Sequence, residues 1–161
     1  MDVEVTVQHA ADDEPQPPPD DDDFERWVVR VAETLDRPLA LTARLVSAQE
    51  SQQLNRDYRG RDKPTNVLSF PFEPPPGIDW QDPYVGDLAL CSQVIHQEAV
   101  EQGKGAREHW AHMVIHGTLH LLGYDHQNHD EAEAMEALEI RLLAGLHIAD
   151  PYRTPGETEQ S

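Results

Sequence analysis

Three histidines within eleven residues, His116, His120 and His126, constrain this chain more than any other feature. His116 and His120 are four apart in a run whose apolar residues (Trp110, Val114, Ile115, Leu119 and Leu122) recur at helical spacing. Both imidazoles therefore project from one helical face, about a turn apart. Gly123 can take a left-handed conformation at no steric cost, which ends the helix and lets the chain turn His126 toward the same point. Three neutral imidazoles leave a fourth position open, the donor set of a catalytic zinc site rather than a closed structural one. Copper, nickel or iron would also accept such a set. Imidazoles placed in an apolar face with nothing to bind would lose solvation for no gain. The neighbouring His109 and His112 read as packed or solvent-facing rather than as supports for the ligands. His129, just beyond the third ligand, could replace it, though the spacing favours His126. His9, His96 and His147 read as structural or surface residues.

The spacing H-x-x-x-H-x-x-G-x-x-H is that of the metzincin zinc helix, with Gly117 where those proteases carry a glutamate general base. Peptide hydrolysis is thereby disfavoured. Phosphodiester cleavage instead needs charge neutralised on phosphoryl oxygens in the transition state, a task that suits arginine forks. The net charge of −19 argues against a nucleic-acid surface. That charge is uneven, however. Residues 1–25 hold ten acids and no Lys or Arg, whereas Arg56, Arg59, Arg61 and Lys63 put four of the twelve bases into eight residues. The loop YRGRDKPTN (58–66) thus offers Arg59, Arg61 and Lys63 to phosphates. Asp125, beside a ligand, can orient an imidazole or simply make a turn.

A chain of 161 residues suits one domain, expected over residues 1–150 with a flexible tail at 151–161. Val3, Val5 and Val7 alternate as in a half-buried strand. The acidic, Pro-rich stretch at 11–23 should be a solvated loop. Phe24, Trp27, Val28, Val31 and Leu35 form one helical face, and 39–46 reads as a strand. Ser47 with Glu50 reads as a capping box for a helix ending near Tyr58. Short strands at 66–70 and 87–91 follow, then a helix capped by Ser92 and closed by Gly103. A histidine-bearing helix from about Ala106 stops at Gly123, and Asp130 with Glu133 should box the last helix. The fold class is therefore α/β (α+β), a mixed sheet of about four strands with about five helices, the metal site lying at a helix end. Cys91 should be a small buried side chain at a strand end, in keeping with a reducing compartment. No membrane span and no secretory signal are expected.

LNRDYRGRDKPTNVLSFPFE (54–73), GDLALC (86–91) and HMVIHGTLHLLGYDH (112–126) resemble the three signature blocks of the YbeY family of bacterial endoribonucleases. With DEAEAMEALE (130–139), the resemblance runs from about residue 39 to 146. It implies a zinc-dependent, single-strand-specific endoribonuclease in the cytoplasm, with one ion on His116, His120 and His126 and Arg59 as the functional arginine. The implied role is 16S rRNA 3′-end maturation and ribosome quality control, with RNA and the ribosome as partners, and neither DNA nor membrane. A metal-dependent hydrolase of another substrate such as a peptide, or a ribosome-associated factor with a structural metal, are the alternatives.

Overall fold

A computed structural model describes residues 2–10, 17–77, 82–125 and 128–152. Nine elements follow in order: β1 (Val3–His9), α1 (Asp21–Leu35), β2 (Leu39–Val46), α2 (Ala48–Arg59), β3 (Val67–Pro71), β4 (Tyr84–Cys91), α3 (Ser92–Gln102), α4 (Ala106–Leu121) and α5 (His129–Ala144). The four strands form one mixed sheet in the order β1-β2-β4-β3, with β1, β2 and β4 parallel and β3 antiparallel at the edge. This is the α/β architecture expected. Parallel pairs need crossover connections, and α1 supplies the one from β1 to β2. β2, with neighbours on both sides, is apolar nearly throughout, as a central parallel strand must be.

α4 packs against β3, β4, α1, α3 and α5, and most of its residues are buried. Around it, Phe24 sits edge-on to both Trp27 and Trp110, with centroids 5.7 and 5.8 Å apart. Leu41, Leu88, Ile115, Leu119, Met135 and Leu142 continue this core, each at most 1 % exposed. α4 leaves the core through Leu122 and Gly123 (φ 100°). Tyr124 N–H bonds to the Leu119 carbonyl at 3.0 Å, so the chain doubles back at this point. Gly123 therefore has the turn role that its sequence position predicts.

Several local expectations change. Residues 11–16 lie outside the described residues and 17–19 have no regular structure, as expected, but Asp21 to Asp23 are helical. Asp20 is the N-cap of α1, and Asp21, Asp22 and Asp23 make its first turn, where carboxylates meet the positive end of the helix dipole. Asp23 accepts from the Asp20 N–H at 3.2 Å and from Arg107 at 2.5 Å, which ties α1 to α4. Ser47 does cap α2, accepting from Glu50 N–H at 3.1 Å, but the Glu50 carboxylate turns away to Arg44 at 2.8 Å. A guanidinium is a stronger partner for it than a backbone amide. Ser92 lies inside α3, not at its cap; Cys91, fully buried at the end of β4, is the N-cap. Asn128 caps α5 through Glu131 N–H at 2.8 Å, which leaves Asp130 in the first turn and Glu133 beside His129 at 3.3 Å. The expected tail begins packed, because Lys104 donates to the Pro151 carbonyl at 2.7 Å; residues 153–161 lie outside the described residues.

Candidate metal centre and cleft

The C-terminal half of α4 forms one side of an open cleft of about 490 Å³. His116 and His120 line it, together with Gly123, Tyr124 and Asp125 from the turn beyond the helix. The opposite side comes from β3 (Val67, Leu68, Ser69 and Pro71), preceded by Asn66, and from Tyr58 and Arg59 at the end of α2. The Asn66 side chain bridges the cleft wall to the protein behind it. Its amide donates to Glu98 at 3.0 and 3.2 Å, and Glu98 also meets His109 at 2.9 Å.

His116 and His120 face each other, their Nε2 atoms 3.1 Å apart. Two ligands on one tetrahedral zinc at ordinary bond lengths sit about 3.3 Å apart. That separation is compatible with two ligands on one ion. His126, the third expected ligand, lies outside the described residues. The reversal at Gly123 directs the chain before it, Tyr124 and Asp125, into the cleft.

Behind His116 lies a buried carboxylate that the sequence reading missed. Glu139, on α5, is 1 % exposed. Its Oε1 lies 3.1 Å from His116 Nδ1 and 2.7 Å from His112 Nε2, and the Tyr152 hydroxyl donates to both of its oxygens at 3.0 and 3.1 Å. Burial pushes Glu139 upward, but the hydrogen bonds from His112 and His116 outweigh it and hold the carboxyl down to about 2. Burial lowers His112, and its Nδ1 has no hydrogen-bond partner among the described residues. Both observations fit a neutral ring that donates through Nε2. A signal for Glu139 was present in the sequence. It interrupts the apolar stripe of Met135, Leu138, Leu142 and Leu143 at helical spacing.

His112, His116 and Glu139 bring three ligand atoms within 4.8 Å of one another, an arrangement compatible with a metal ion. His116 is shared between this cluster and the pair with His120, one ring nitrogen facing each way. The two ends differ in access. His112 and Glu139 are 6 and 1 % exposed, whereas His116 and His120 open onto the cleft. The Nδ1 of His116 meets the buried carboxylate, and its Nε2 faces His120 at the cleft.

Gly117 faces away from this chemistry. A Cβ there would lie 2.8 Å from the Leu88 side chain and 3.0 Å from that of Val67. Its carbonyl accepts from Ser69 Oγ at 3.0 Å, which holds α4 close against β3. A glutamate at this position would run into the sheet. Among the cations, Arg59 lines the cleft, and no ion pair engages it among the described residues. Arg56, on the same helix, pairs with Asp57 and Asp62 at 3.6 and 3.9 Å. Arg61 and Lys63 are exposed on the following loop and are not among the residues that line the cleft. Asn55 fixes that loop by donating to the Lys63 carbonyl at 2.9 Å.

The sequence profile of the family described as Endoribonuclease YbeY matches residues 10–147. Endoribonuclease YbeY of Alkalilimnicola ehrlichii is 60% identical over 132 residues, 81% of this chain and 80% of that protein. The solution structure of TM1509 from Thermotoga maritima matches with a TM-score of 0.54 at 22% identity, over 94% of this chain and 99% of that one. At that identity, the match with TM1509 speaks for the fold alone.

Proposed function

Because the chain belongs to the YbeY family of endoribonucleases, we propose that it cleaves single-stranded RNA in the cleft between α4 and β3, using one zinc ion on His116, His120 and His126. The observation that carries this reading is the facing pair of Nε2 atoms at 3.1 Å, open to a cleft that also holds Arg59. Zinc, when bound, supplies a Lewis acid that polarises a phosphoryl oxygen and makes water more acidic. Arg59 pairs with a non-bridging oxygen of the scissile phosphate and offsets the charge that grows there. Glu139 holds the His116 proton on Nδ1, which leaves Nε2, the nitrogen that faces His120, as the atom that would bind the ion. Arg61 and Lys63 meet phosphates that flank the cleft.

Family membership supports rRNA as the substrate, with a role in 16S 3′-end maturation on the ribosome in the cytoplasm. No helix among the described residues is long and apolar enough to cross a membrane. Residues 26–161, with twenty-one acids against twelve bases, have weak intrinsic attraction for free RNA, so a ribosomal partner delivers the substrate. Arg59→Glu tests the assignment. RNA cleavage should fall by roughly a hundredfold or more while metal content stays at wild-type level. Loss of the metal in that variant would give Arg59 a structural task instead, and full activity would remove it from the site.

A further inference from the structure

Tyr152 lies beyond residues 10–147, the part of the chain that the family profile matches, yet its hydroxyl reaches the most deeply buried carboxylate near the cleft. Two contacts bring it there. The Asp150 carboxylate accepts from the Tyr152 N–H at 2.8 Å, which shapes the turn, and Lys104 holds the Pro151 carbonyl at 2.7 Å. The Tyr152 ring then packs edge-on against His112, with centroids 5.4 Å apart. Glu139 consequently receives three donors (the His112 ring, the His116 ring and the Tyr152 phenol). Among the described residues, neither Lys nor Arg is bonded to it. A buried carboxylate needs its lone pairs filled and its charge offset. The donors do the first. A cation on the far nitrogen of His116 would do the second.

We propose that residues 150–152 form a strap that completes the metal centre from behind. Tyr152 and His112 clamp Glu139 where its Oε1 meets His116 Nδ1, which makes Glu139 and Tyr152 positioning residues for the bound ion. The inference rests on the assignment of the ion to His116 and His120. Without the phenol, the Glu139 carboxylate can rotate away or take up water. His116 is then free to turn or to move its proton to Nε2, and either change removes a ligand.

The test is titration of the full-length protein with Co²⁺, followed by its visible d–d absorption and by competition with a chelator. Y152F keeps the ring on His112 and removes only the hydroxyl. It should weaken Co²⁺ binding by about tenfold, and E139Q by about ten- to a hundredfold, with H120A as the reference for a lost ligand. A merely structural tyrosine would lower the melting temperature of the metal-free protein and leave Co²⁺ affinity untouched; that result overturns the strap. Wild-type affinity in both Y152F and E139Q, with H120A no longer binding, also overturns it while leaving the His116–His120 assignment standing. Co²⁺ held by H120A as tightly as by the wild type overturns that assignment instead. Should E139Q fail to fold, Y152F alone decides between strap and structure.

Discussion

The two ends of the histidine stripe on α4 carry the same side chain and come to opposite uses. His109 and His112, toward the N-terminal end, are 3 and 6 % exposed, and each meets a carboxylate from another helix, Glu98 at 2.9 Å and Glu139 at 2.7 Å. His116 and His120, one and two turns further on, face each other across 3.1 Å at the wall of an open cleft. The difference lies in what α4 packs against. Where α3 and α5 cover it, an imidazole becomes a hydrogen-bond donor inside the protein. Past that cover, the same residue type lines an open cleft. Glu139 joins the two regimes, since it accepts from both His112 and His116.

The largest effect should come from the open end. His120→Ala should abolish stoichiometric metal binding and cut RNA cleavage by at least about a hundredfold, with little change in the urea midpoint. Metal analysis beside a cleavage assay checks this, and a large fall in stability would erase the contrast between the two ends. Gly117→Glu, which restores the protease-like pattern, should cost about 1–3 kcal/mol through overpacking against Leu88 and Val67. It should confer no peptidase activity, and a denaturant melt with a peptide assay measures both. At the covered end, His109→Ala should lose about 1–3 kcal/mol by leaving Glu98 short of a donor, with metal content unchanged.

The smallest effect concerns pH. Burial lowers His96, whose Nε2 accepts from Trp110 Nε1 at 3.1 Å. The unfolded chain therefore takes up this proton more readily than the folded one. The stabilisation is complete above the ordinary value of 6.5 and declines as pH falls from there through the lowered folded value. Urea midpoints at about pH 7.5 and 5.5 should drop less in His96→Gln than in the wild type. An identical drop in the two proteins would assign the pH sensitivity elsewhere.

Much of the fold was legible because its signals are local. The alternation in 3–7, the apolar face of 24–35 and the run 39–46 predict β1, α1 and β2, and the structure places them at Val3–His9, Asp21–Leu35 and Leu39–Val46. Helix ends were less legible. Ser92, Asp130 and Glu133 have the right residue types for caps, but Cys91 and Asn128 hold those positions. A cap depends on where the preceding strand or turn releases the chain, which residue type does not encode. Gly117 was legible as a departure from a catalytic pattern. Its cause, the close approach of α4 to β3, was not.

By itself the sequence determined that His116 and His120 share a face, that Gly123 turns the chain after them, and that Arg59 lies in a dense run of cations. These are consequences of helical periodicity and backbone sterics, which act over a few residues. Tertiary structure decided which histidines are open and which are covered, and that Arg59 rather than Arg61 or Lys63 lines the cleft. It also brought Glu139 and Tyr152 to His116 and His112, from 23 residues away for the glutamate and 40 for the tyrosine. Burial and hydrogen-bond partnership across such separations depend on how whole helices pack, and no local pattern carries that information.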